Sequence, residues 1–167
     1  MAPSKENAQV LNTDVLRFLE ANFPQWLLYV RTLEDKDDDQ DFLELTIPDP
    51  PGVSHEHPLQ ISTWGEEVTV SFGEYHTHFP WPQGYDGSSS PDQVLNFVQA
   101  LLHEDIVIAS VWTEGRCKMS SPIRSNDLER YHPIAGGDHE LRFRSWRGTY
   151  DKVFPVDWQS YLKASHP

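Results

Sequence analysis

Residues 58–81 read PLQISTWGEEVTVSFGEYHTHFPW. Residues 59–63 and 68–72 are short runs of alternating apolar and polar side chains on either side of Trp64-Gly65-Glu66-Glu67, where glycine can supply the positive φ of a tight hairpin turn. In the second arm Val68, Val70 and Phe72 share one face and Thr69 and Ser71 the other. That is the pattern of an antiparallel sheet with one packed and one wetter side. The alternation runs on through Glu74, His76 and His78, which a strand projects from a single face. Unbroken register points these three toward the packed side, whereas a bulge at Gly73 points them toward the open one.

Working outward, Ser90-Pro91-Asp92-Gln93 predicts a helix start: Ser as N-cap, Pro at the first helical position, Asp against the dipole and Gln closing a capping box. Val94, Leu95, Phe97, Val98, Leu101 and Leu102 give this helix a wide apolar stripe with which to cover one face of the sheet. Residues 106–112, IVIASVW, are expected to form a central strand. Residues 113–116 turn the chain and residues 117–123 return as a partner. Residues 124–138 read as irregular surface chain. ELRFRSW, residues 140–146, alternates Leu141, Phe143 and Ser145 with Arg142, Arg144 and Trp146. Gly148 then turns it into residues 149–154, and the tail DWQSYLKASHP suits a short final helix.

Toward the other end, residues 1–9 are polar and read as a frayed tail. Asn12 or Thr13 is placed to cap a helix carrying Val15, Leu16, Leu19 and Phe23 at helical spacing, with Pro24 as its stop. Residues 26–33 fit a strand or a second helix, and the aromatic and β-branched content favours the strand. EDKDDDQD, residues 34–41, sets six carboxylates around one lysine and reads as an exposed hairpin loop; a calcium loop would need a glycine and a terminal glutamate at spacings absent here. Residues 42–47 suit a mostly buried strand, stopped by Pro48, Pro50 and Pro51. His55 and His57 follow in a rigid turn region and read as solvent-exposed polarity. The order of helix, strands, helix and more strands, without repeats or a convincing linker, predicts an α+β fold: a single domain with a mostly antiparallel sheet packed by one amphipathic helix, preceded by an N-terminal helix.

The composition bounds the function. In 167 residues, six Trp, eight Phe and six Tyr argue for a folded core despite 13 prolines. A formal charge of −13 repels phosphate backbones and anionic membranes and steers basic partners inward. No nucleic-acid or membrane partner is expected, and no run approaches the roughly 18 apolar residues of a membrane span. The lone Cys117 cannot form an internal disulfide, and it reads as a structural thiol. The opening MAPSKENAQ lacks the apolar core of a secretory signal, so a cytoplasmic setting is expected.

No catalytic signature stands out: there is no phosphate loop, GxSxG elbow or dinucleotide fingerprint. Two readings of residues 64–81 remain. In one, Trp64, Glu74, Tyr75, His76, His78 and Trp81 form a patch of aromatic and polar side chains suited to engaging another protein, with no cofactor. In the other, Glu74, His76 and His78 hold a zinc or iron ion in a metal-dependent hydrolase or oxygenase, with positions left open for water. Because HxH pairs arise easily by chance and no general base can be named, the first is preferred.

The strand LELTIP, the hairpin ISTWGEEVTVSFGEYHTHF and the capped helix that follows together resemble the small α+β immunity-type proteins of bacterial polymorphic toxin systems. The resemblance covers about the middle half of the chain. It implies a cytoplasmic, non-catalytic protein that neutralises a cognate toxin, such as a basic toxin domain, by covering its working surface. No binding residue carries over from that family, whose members vary at these positions.

Overall fold

The computed structural model describes residues 5–35, 40–82, 84 and 87–165. It has the expected α+β character, with an N-terminal helix and antiparallel strands shared between two sheets. The chain groups into two compact units: Met1–Asp49, His55–Phe72 and His76–Val98 in the first, and Pro50–Ser54, Gly73–Tyr75 and Gln99–Pro167 in the second. No described helix is long and apolar enough to cross a membrane.

In the first unit, helix α1 (Lys5–Asn22) begins well before the cap expected at Asn12 or Thr13, so residues 5–9 are helical and not a frayed tail, while residues 1–4 lie outside the described residues. Its buried stripe is Ala8, Leu11, Val15 and Leu19, spaced to fall on one side of a 3.6-residue helix. Each fully buried aliphatic side chain contributes about 1.5–3 kcal/mol. Leu16, expected in that stripe, is 37% exposed. Asn12 sits in the middle of the helix and clamps it to the sheet. Its Nδ2 donates to the Asp41 carbonyl at 2.8 Å, while its Oδ1 accepts from Thr63 Oγ1 at 2.6 Å. Thr63, itself buried, accepts the Leu43 N–H at 2.7 Å.

Pro24 does end α1, but residues 24–29 then form a single 3-10 segment, and only residues 30–35 take the expected strand. Phe23 stacks on Trp26 at 4.3 Å, a short-range contact that favours the tight turn over an extended chain. The first sheet follows in sequence order: β1 (Val30–Asp35), β2 (Gln40–Thr46), β3 (Gln60–Trp64), β4 (Glu67–Phe72) and β5 (Tyr75–Pro80). Asp35 pairs with Gln40, so the acidic run is flanked by paired strands, and its residues 36–39 lie outside the described residues. Between β2 and β3, His55 is not exposed polarity: its side chain is 3% exposed and its Nδ1 lies 2.6 Å from Asp49 Oδ1. The ring meets Phe72 edge-on at 4.8 Å, and the His55 N–H also donates to Asp49. His57 is exposed as expected.

Helix α2 (Ser90–Leu102) starts where its sequence signal lies, displaced by one residue. Ser89 takes the capping position: its carbonyl accepts the Gln93 N–H and its hydroxyl faces the Asp92 N–H. Ser90 is fully buried, and its hydroxyl donates to the Pro80 carbonyl. Of the predicted stripe, Val94, Val98 and Leu101 are buried. The helix ends in a Schellman pair, Asp105 N–H to Ala100 C=O and Glu104 N–H to Leu101 C=O. Glu104 occupies the left-handed position at φ 61° that glycine normally fills.

The second sheet has the order β7-β6-β8-β9, antiparallel throughout, from β6 (Ile106–Thr113), β7 (Arg116–Arg124), β8 (His139–Arg144) and β9 (Lys152–Val156). β6 is central, as its apolar run predicts. Glu114 and Gly115 both have positive φ, which a two-residue hairpin turn of the primed type requires. Val107, Ala109 and Val111 of β6 and Leu141 and Phe143 of β8 build one core with Tyr131, Val156 and Tyr161. A 3-10 segment at residues 125–130 interrupts the stretch expected to be irregular. The last strand starts at residue 152, later than expected, because residues 145–151 are held in a turn: the Ser145 N–H donates to Asp151 Oδ1 at 2.7 Å. Helix α3 (Trp158–Ser165) closes the chain, with Asp157 accepting from the Ser160 N–H.

Candidate functional site

Gly73 is neither a bulge nor part of a continuous strand. Gly73 and Glu74 are the turn of a second hairpin, β4–β5, with Gly73 at φ 58°. This turn takes Glu74 off the strand that carries the histidines and leaves His76 and His78 exposed at alternate positions of β5. Val68, Val70 and Phe72 are buried on β4 while Glu67, Thr69 and Ser71 between them are not. Contacts place His78 with that second group: its Nδ1 lies 2.7 Å from Glu67 Oε1 and 2.9 Å from Thr69 Oγ1.

Of the six side chains expected to form a patch, Trp64, His76, His78 and Trp81 belong to the first unit and Glu74 and Tyr75 to the second. Trp64 is 49% exposed, pairs across the sheet with Glu67 and meets Phe42 edge-on. It therefore shares the open face with His78 and His76. Trp81 is half-buried against Phe18, ring centres 5.7 Å apart, and its N–H donates to the Glu66 carbonyl. In the second unit the Glu74 carboxylate accepts the Ser110 hydroxyl at 3.3 Å and its carbonyl accepts Ser120 Oγ at 2.7 Å. Among the described residues no group of three or more His, Cys, Asp or Glu side chains is arranged to hold a metal ion.

A concavity lies on the second sheet, on the face opposite its core. Register aligns Trp112 with Glu140 and Ser110 with Arg142, and then Glu140 with Pro155 and Arg142 with Val153. Alternation along each strand turns all six away from Val111, Leu141 and Phe143. All of these but Ser110, together with Phe154, the β6–β7 turn residues Glu114 and Gly115 and residues 137–139, bound a pocket of about 470 Å³. Its floor is a stacked pair: the Arg142 guanidinium lies 3.8 Å from the centre of the Trp112 ring. Arg142 Nε donates to Glu140 Oε1 at 2.5 Å, and the Trp112 indole N–H donates to Ser110 Oγ at 2.9 Å. Ser110 in turn donates to Glu74, so the indole is fixed through a hydrogen-bonded chain that reaches the β4–β5 turn residue.

A β-bulge marks the same place. Val111 pairs with Met119 but Trp112 with Cys117, which leaves Lys118 as the extra residue of β7. Bulges re-aim side chains beside functional surfaces. The opposite wall depends on Gly137: a Cβ there would stand 2.5 Å from the Val156 backbone. Only glycine lets this loop lie against β9, where the Ile134 N–H also bonds the Pro155 carbonyl at 2.8 Å.

The pocket's charge is acidic. Glu114, Asp138 and Glu140 line it with Arg142 and His139. Arg142 is already paired with Glu140, and His139 Nδ1 sits 2.5 Å from Asp138. Cys117, exposed on the neighbouring strand, has its thiol pKa raised by burial and then by the Glu74 carboxylate. It is therefore held as a thiol rather than as an attacking thiolate. The hollow thus sets Glu114, Asp138 and Glu140 around an indole–guanidinium floor.

Trp112, Glu114, Asp138, His139, Glu140 and Arg142 escaped the sequence reading because no two strands' contributions are adjacent in the chain. The available signal was Ser110 and Trp112 interrupting an apolar strand, matched by Glu140 and Arg142 in the polar phase of ELRFRSW. Comparison of the chain with protein-family models, with curated proteins and with solved structures finds no match to any of them.

Proposed function

We propose that this chain is a non-catalytic protein-binding module whose partner presents a basic surface. The acid-lined pocket with its stacked Trp112–Arg142 floor is the observation that carries this reading. Interface energy concentrates in rigid aromatic and arginine anchors set in concave, water-excluding surroundings, and a tryptophan fixed by hydrogen bonds has little rotamer freedom left to lose on binding. A lysine or arginine entering the pocket meets Glu114 and Asp138 at its rim, while the overall charge of −13 raises the rate of encounter with cations.

The immunity-type reading specifies this further: a bacterial, cytoplasmic protein that covers the working surface of a cognate toxin. The acidic surface supports it. Coexpression with a toxin domain, where a neighbouring gene encodes one, is the test. The reading expects restored growth that is lost in Glu114→Lys/Asp138→Lys; growth arrest despite soluble wild-type chain would refute the toxin-neutralising role.

A further inference from the structure

We infer that the open face of the first sheet carries a two-histidine site for an imidazole-preferring divalent ion, with His76 and His78 as ligands and Glu67 and Thr69 orienting one of them. This is independent of the pocket and of the protein-binding reading.

The argument starts from strand geometry. Residues two apart on β5 project to the same side, and the hairpin turn at Gly73-Glu74 makes that side the solvent face. The two imidazole centres lie 5.2 Å apart with their planes at 81°. Two imidazole nitrogens, each about 2.0–2.1 Å from one tetrahedral ion, hold their ring centres roughly 5 Å apart. The rings thus already stand at the separation an ion between them requires, so little backbone adjustment is needed.

The surroundings of His78 fit the same role. Its Nδ1 faces Glu67 Oε1 at 2.7 Å and Thr69 Oγ1 at 2.9 Å. A carboxylate accepting from Nδ1–H fixes the tautomer with the Nε2 lone pair free, and raises its basicity as a ligand. The His78 side chain is 49% exposed and His76 is exposed too, so an ion has access from solvent. Neither glutamate joins the ligands: Glu67 acts through His78, and Glu74 lies in the turn. A pair of imidazoles without a carboxylate suits Zn²⁺, Ni²⁺ or Cu²⁺ better than Fe²⁺, whose usual site adds a carboxylate. Two protein ligands leave positions for water or for a donor on a bound molecule.

The test is calorimetric titration of the full, untagged chain with ZnCl₂, NiCl₂ and MnCl₂. One equivalent of Zn²⁺ and of Ni²⁺ is expected to bind in the micromolar range, with Mn²⁺ far weaker. His76→Ala and His78→Ala should each weaken binding by at least about tenfold, and Glu67→Gln by a smaller factor. Both histidines are exposed, so an unchanged circular dichroism spectrum shows that the variants fold. Substoichiometric or millimolar binding overturns the site, as does stoichiometric binding that survives the double His76→Ala/His78→Ala change. Nuclear magnetic resonance adds a check: Ni²⁺ should broaden the His76 and His78 ring signals before those of His57 or His132.

Discussion

Replacing Glu104 by glycine sets two physical effects against each other at one residue. The backbone at φ 61° favours glycine, since a side chain in the left-handed region costs about 1 kcal/mol. A mutation judged on backbone alone would therefore stabilise the protein. The side chain argues the other way. Glu104 is 7% exposed, its Oε1 accepts the Arg147 N–H at 2.7 Å, and its carboxylate also accepts from Thr149 and Ser145. Glycine leaves the part-buried Arg147 N–H and the Thr149 hydroxyl without this acceptor, while the Ser145 hydroxyl keeps Asp151 Oδ1 at 3.3 Å; the cost is about 1–3 kcal/mol for the N–H and more for bonds to a charged group. The sum predicts that Glu104→Gly destabilises by roughly 2 kcal/mol, and Glu104→Gln, which keeps an acceptor without the charge, by roughly 1 kcal/mol. Urea unfolding followed by tryptophan fluorescence measures both, as a lowered midpoint at unchanged slope. A Glu104→Gly protein as stable as the wild type, or more so, would refute the assignment of the carboxylate as the anchor of residues 145–149.

The same carboxylate predicts a pH dependence. Burial raises its pKa, but the hydrogen bonds from Thr149, Arg147 and Ser145 outweigh this and hold it below the ordinary 4.5. A group with a depressed folded pKa contributes stability that is fully present above the unfolded value and is lost as pH falls through the folded one. The gap between wild type and Glu104→Gln should therefore be constant at neutral pH and shrink below about pH 4.5.

Three further outcomes follow from the same geometry. Thr63→Val keeps the side-chain shape but strips the Leu43 N–H and Asn12 Oδ1 of their partner, and should cost about 2 kcal/mol in urea unfolding, with Asn12→Ala/Thr63→Val showing non-additivity in a double-mutant cycle. Gly137→Ala drives a Cβ into the β9 backbone, and is expected to lower the melting temperature by several degrees and to increase hydrogen exchange at Ile134, while Gly136→Ala should leave Ile134 protected. His55→Ala removes a buried ring from Asp49 and Phe72, and should lower stability by about 2–3 kcal/mol. The Asp49 pKa, raised by burial but lowered further by its bonds to His55, should return toward its ordinary value of 3.8, as carboxyl chemical shifts would report.

Where the chain's own short-range physics decides, the sequence was legible. Ser90 to Gln93 announces α2, one residue off its true cap, Gly65 and Gly115 announce their hairpins, and the β-branched run before Trp112 announces the central strand. Gly73 was harder to read: alternation continues across Gly73-Glu74 in the same phase, so a two-residue turn and a bulge look alike until strand pairing is known. Residues 6–9 look polar because among them only Ala8 is buried, too small an apolar signal to mark a helix. The division into two sheets, and with it the pocket, depends on pairing β6 with β8, about thirty residues apart, and no local propensity encodes that choice. His55 reads as exposed for a similar reason, since its partners Asp49 and Phe72 come from different segments of the first unit.

The most direct test of the proposed function is the association rate between the full chain and a basic toxin domain, taken from the neighbourhood of its gene if one is encoded there, measured at low and high salt. The account predicts a stable complex whose association slows as salt screens the acidic surface, and whose affinity falls by at least about tenfold in Glu114→Lys/Asp138→Lys, the size expected of a lost interfacial anchor. No complex at either salt, or one indifferent to those charge reversals, would contradict it.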